Sequence, residues 1–98
     1  MIYSVEELKV KVFPIAKKYG VERVSLFGSY SRGEATADSD VDLIIEKGEL
    51  RTLFQLIAFR QELEDVLQLS VDVVTSEISD KQFLQMIAKD EVVLYGAA

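Results

Sequence analysis

The run Asp40-Val41-Asp42-Leu43-Ile44-Ile45 constrains this chain more than any other segment. Its apolar residues read as a β-strand entering a core, yet two carboxylates stand at its start. Side chains alternate along a strand, so Asp40 and Asp42 share a face. Their Cα atoms lie roughly 7 Å apart at about 3.3 Å per residue. Acidic residues oppose strand propensity, and two on one face repel each other. One explanation is a solvated strand edge beside a turn. The other is a metal site in which cations offset the repulsion, because carboxylates so spaced can converge on divalent ions about 3.5–4 Å apart.

Gly28-Ser29 precedes this run by about ten residues. Glycine permits a sharp turn and lets a phosphate approach the backbone, and the serine offers a hydroxyl and N–H groups to an anion. Taken alone, Gly-Ser is a strand-ending turn; its coupling to the Asp pair favours phosphate binding. Arg32 lies in the same loop. It can reach phosphate oxygens or pair with Glu34 or a nearby Asp. Asp72 sits at the centre of a later strand, Ser70–Thr75. Beside the first acidic strand it joins the same carboxylate face, as a metal ligand or as acceptor of a proton from an attacking hydroxyl. Arg23, Lys17 and Lys18 read as solvated surface, and the Tyr and Phe residues mostly as core, with Phe27 touching the loop.

Ser4 and Glu7 form a capping-box pattern. Val5, Leu8, Val12, Ile15, Ala16 and Tyr19 follow at helical spacing, and Gly20 ends the helix. Pro14 should kink or split that helix, because it removes one hydrogen bond. Val21–Phe27 reads as a strand, 28–39 as a loop with one helical turn after Ser29, and Val41–Glu46 as a second strand. Leu50–Leu67 reads as a long helix with Leu53, Leu56, Ile57, Leu63 and Leu67 inward. A last helix should span Asp80–Lys89, capped by Ser76 or Ser79, with Met86 filling a gap. Val92–Tyr95 closes as a short strand. The link of about a dozen residues between the first two strands is marginal for a parallel crossover, so these pair antiparallel. The next link holds a full helix and suits a parallel pair. The fold class is α/β, a mixed sheet of three to four strands with helices packed on it, and residues 1–98 form one domain.

The chain contains neither Cys nor His, which excludes disulfides, thiolate or imidazole metal sites, and Ser-His-Asp catalysis. Carboxylates, hydroxyls, Lys and Arg remain, a set suited to hard cations such as Mg²⁺. A net charge of −6 argues against direct binding to a nucleic-acid backbone, though not against a nucleotide that carries its own metal. No signal segment and no apolar stretch of spanning length is present, so a cytoplasmic location with no membrane association is expected.

Leu26-Phe27-Gly28-Ser29, Arg32-Gly33 and Ser39-Asp40-Val41-Asp42-Leu43, with Asp72 as the third acid, resemble the minimal nucleotidyltransferase (MNT) family of the DNA polymerase β-like superfamily. The resemblance covers nearly the whole chain and implies the nucleotidyltransferase fold. It implies transfer of a nucleoside monophosphate, such as AMP from ATP, to an acceptor hydroxyl. Gly28 and Ser29 would hold the triphosphate. Asp40 and Asp42 would bind two Mg²⁺, and Asp72 would bind the catalytic ion or act as base. Small members of this kind look like antitoxins that modify a separately encoded helical HEPN ribonuclease toxin. A different function is a non-catalytic module that neutralises such a partner by contact alone.

Overall fold

Ser4 starts the first helix in the computed structural model, which describes residues 2–77 and 80–96. Its hydroxyl accepts from the Glu7 N–H at 3.1 Å, and Glu7 accepts from the Ser4 N–H at 2.8 Å. Two otherwise unpaired donors at the helix start are thereby satisfied. Helix α1 (Val5–Tyr19) ends at Gly20, whose φ of 68° is the left-handed conformation a glycine adopts without strain. Pro14 does not split the helix. Pro14 and Val10 are both exposed, so the Val10 carbonyl that loses its partner faces water.

Strands β1 (Arg23–Phe27), β2 (Val41–Glu46), β3 (Val71–Thr75) and β4 (Val92–Tyr95) form one sheet in the order β3-β2-β1-β4. As expected, β1 and β2 are antiparallel and β2 and β3 are parallel. The parallel crossover is made by α2 (Leu53–Leu67), which starts at a second capping box formed by Thr52 and Gln55. Strand β4 joins β1 antiparallel, with an irregularity between Val24 and Ser25.

One sheet face is closed by α1 and α2. Val24, Leu26, Val41, Leu43, Ile45 and Val71 meet Leu8, Val12, Phe59, Leu63 and Leu67 in a single buried cluster. Tyr3 donates its hydroxyl to the Leu67 carbonyl at 2.7 Å, tying the start of α1 to the end of α2. Asp42, Ile44, Asp72 and Phe27 alternate onto the other face. Ile44 is buried yet lies outside the main cluster. Helix α3 (Lys81–Ala88) covers part of this outer face through an edge-on contact between Phe83 and Phe27.

Several sequence expectations are corrected. Helix α2 begins at Leu53, and its buried residues are Phe59, Leu63 and Leu67, with Leu53 and Ile57 exposed. Phe13, Phe54 and Met86 are also exposed, so Met86 fills no gap. The cap of α3 is Asp80, which accepts from the Gln82 N–H; Ser79 lies outside the described residues. Among the described residues no helix is long and apolar enough to cross a membrane.

Candidate active site

The parallel register of β2 and β3 sets Asp42 directly beside Asp72, and the antiparallel register of β1 sets Phe27 on the other side of Asp42. The row Phe27, Asp42, Asp72 therefore crosses the outer face at the end of the sheet where β1 runs into its loop. Asp42 and Asp72 stand side by side on neighbouring strands, close enough to feel each other's charge. Burial pushes the Asp42 carboxyl up to about 6; the charges of Asp72 and Asp40 add to the rise, and Arg32 opposes it. Burial and neighbouring like charges both disfavour the ionised form of a carboxyl.

Gly28 follows Phe27 at a φ of 76°. A Cβ at this position would clash with the Asp42 carboxylate, its carboxyl carbon being only 3.2 Å away. Glycine thus allows the loop backbone to lie against Asp42. The expected helical turn is present. The Gly28 carbonyl accepts from the N–H groups of Ser31 and Arg32 at 3.1 and 3.2 Å, and the Ser29 carbonyl accepts from Glu34 at 2.9 Å. The Ser31 hydroxyl adds a third bond to Gly28 at 2.8 Å. These bonds hold Ser29 at the head of the turn, beside the carboxylate row.

Arg32 takes the second of its two expected roles: its Nε donates to Glu34 at 2.8 Å. Its pKa is raised, first by this bond, with contributions from Asp90 and Asp42. Asp40 lies just before β2, exposed, and within electrostatic reach of Asp42. The structure thus brings Gly28, Asp42 and Asp72 together, with Ser29, Asp40 and Arg32 around them. Among the described residues no three acidic side chains converge closely enough to enclose an ion. The donors are all oxygens, and carboxylates set side by side are relieved by positive charge placed between them. These residues fit a hard divalent cation.

Arg23 is not the solvated residue its position suggested. It is half-buried on the outer face and paired with Glu46 and Glu91. Arg23 shares the two-residue alternation of Ser25 and Phe27, which is the only sequence signal of its inward turn.

The model of the family described as "Polymerase beta, Nucleotidyltransferase" matches residues 10–98. A relative in Methanocaldococcus jannaschii, named as a protein adenylyltransferase, is 46% identical over 72 residues, covering 74% of this chain and 77% of its own. A solved structure described as a minimal nucleotidyltransferase is 30% identical, with a TM-score of 0.78 over 92% of this chain and 95% of that one. A chain from the complex of a tri-AMPylated Shewanella oneidensis HEPN toxin with an MNT antitoxin shares the fold at 19% identity. Its TM-score is 0.73, covering 95% of this chain and 73% of that chain.

Proposed function

The chain belongs to the polymerase beta nucleotidyltransferase family, and from that membership we propose that it moves AMP from ATP to a hydroxyl of a HEPN toxin, acting as its antitoxin. The observation that carries the reading is the Asp42–Asp72 pair on the open sheet face, with the Gly28 backbone against Asp42 and Ser29 next in the loop. Relatives named as protein adenylyltransferases support the reaction class. The AMPylated HEPN toxin bound to an MNT antitoxin in a neighbouring structure supports donor and partner. The unit is taken as one domain, residues 1–98, working in the cytoplasm.

In this reading Gly28 and Ser29 hold the triphosphate, with Arg32 freed from Glu34 to meet phosphate oxygens. Asp40, Asp42 and Asp72 would hold two Mg²⁺ ions. When bound, these ions neutralise charge on the transferring phosphate and orient the groups around it. The acceptor hydroxyl attacks the α-phosphorus, a new P–O bond forms, and the bond to pyrophosphate breaks. Asp72, the exposed member of the pair, accepts the hydroxyl proton. In this reading the partner presents its hydroxyl to the open face of the sheet.

Mg²⁺ with ATP should raise the melting temperature of the wild-type chain, and wild-type protein that binds no nucleotide would sink this reading. One competing reading is neutralisation of the partner by contact alone. It is separated by the double variant Asp40→Asn, Asp42→Asn. Protection of cells by a double variant that still binds the partner supports contact; loss of protection supports transfer.

A further inference from the structure

Beyond the carboxylate row, the outer face encloses a cavity of about 300 Å³ between the sheet and α3, lined by Arg23, Ile44, Glu46, Ser76, Leu84 and Glu91. Ile44 lies two residues past Asp42 on the same face, so the cavity opens roughly 7 Å from the carboxylate row. The volume suits a flat, drug-sized ring system. Its walls combine apolar and charged groups. Ile44 and Leu84 supply apolar surfaces. The Arg23 guanidinium is paired at its terminal nitrogens, with Glu46 at 3.6 Å and with Glu91. Its Nε–H is buried with no hydrogen-bond partner among the described residues, and the same holds for the hydroxyl of Ser25, which is 1% exposed on the same face. Buried donors left unpaired are costly and call for an acceptor.

We propose that this cavity seats the base of the donor nucleotide and selects a base that carries an exocyclic amine beside a ring-nitrogen acceptor, as adenine does. The proposal rests on the nucleotidyl-transfer reading above and adds the residues that choose the nucleotide. With the triphosphate at Gly28 and Ser29 and the α-phosphate beside Asp42, the nucleoside runs along the outer face toward Ile44. The Arg23 Nε–H donates to the ring nitrogen. Carboxylates only accept, and Glu46 and Glu91 retain lone pairs beyond those engaged by Arg23, so one of them accepts from the amine. Ile44 and Leu84 flank the ring. Guanine and uracil turn a carbonyl oxygen toward these carboxylates and are disfavoured.

Calorimetric titration of the purified chain in Mg²⁺ with ATP, GTP and inorganic tripolyphosphate tests this. Wild-type protein should bind ATP at least about tenfold more tightly than GTP, because a site built for a hydrogen-bond pattern rejects its inverse. Leu84→Trp, which fills the cavity, should weaken ATP by about tenfold or more and leave tripolyphosphate unchanged. Glu91→Gln exchanges a pure acceptor for a group that also donates, and should narrow the ATP-to-GTP ratio. Equal affinity of wild type for ATP and GTP overturns the proposal, as does unchanged ATP affinity in Leu84→Trp, and both leave the transfer reading standing. If Leu84→Trp loses tripolyphosphate as well, Glu91→Gln decides: an unchanged ratio overturns the proposal and a narrowed one supports it. Wild-type protein that binds neither ATP nor tripolyphosphate overturns both.

Discussion

The two faces of the sheet are built for opposite purposes from strands that alternate between them. On the inner face, Leu43 and Ile45 of β2 meet Phe59, Leu63 and Leu67 of α2 in contacts that exclude water. Each such side chain contributes about 1.5–3 kcal/mol by burial. On the outer face the same strand carries Asp42 against Asp72, and β1 carries Arg23 and Ser25 with polar atoms left unpaired among the described residues. The inner face stabilises the fold, and the outer face draws on that stability to hold like charges and orphaned donors close together. Such a division is what a reacting site needs: groups that favour a ligand over their own company, fixed to a rigid support.

The comparison breaks if either face behaves like the other. Removing a charge from the outer face should act first on chemistry. Asp42→Asn is expected to lower AMP transfer on the order of 1,000-fold, since ion-assisted stabilisation of the transferring phosphate is worth several kcal/mol. Its melting temperature should not fall. Removing bulk from the inner face should do the reverse. Leu63→Ala should cost about 2–5 kcal/mol in denaturant unfolding, with transfer per folded molecule unchanged.

A smaller effect sharpens the contrast through pH. The folded chain holds the Asp42 proton up to about 6, above the ordinary carboxylate value. The folded state binds this proton more tightly than the unfolded chain does. Its stabilising contribution is therefore full below about pH 4 and is lost as pH rises through about 6. Without divalent ions, Asp42→Asn should be the more stable protein at neutral pH, by a melting shift of a few degrees, and should lose that advantage toward pH 4. Lower stability of the variant at neutral pH would show that the outer face stores no repulsion. The smallest effect belongs to the inner side. Tyr3→Phe removes the bond to the Leu67 carbonyl and should cost about 1 kcal/mol with no change in nucleotide binding.

How much of this was legible in the sequence follows the same division. The boundaries of β2 and β4, the antiparallel and parallel pairings and the α1 stripe all came from periodicity, caps and link lengths, which local residues determine. Asp42 and Asp72 could be placed on one face because a period of two leaves little freedom. The phase of α2 was misread. Leu53 and Ile57 continue the apolar pattern in sequence, but burial starts only at Phe59, where the sheet lies beneath the helix. Helical spacing cannot say where the partner surface begins. Pro14 was expected to interrupt α1, yet its missing bond falls on the solvent side. Arg23 was assigned to solvent because its partner Glu91 is distant in the chain, and no local pattern records such a pairing. At the site, the neighbours of Asp42 were readable, whereas the diversion of Arg32 to Glu34 depends on side-chain reach within a loop.

The central claim is that the Asp42–Asp72 face transfers a nucleotide. It is tested most directly by the intact mass of a purified HEPN partner after incubation with the chain, Mg²⁺ and ATP. Wild-type protein should add whole AMP units to the partner, and Asp42→Asn, folded and still bound to the partner, should add none. A partner left at its original mass by the wild-type protein, or modified equally by Asp42→Asn, would contradict it.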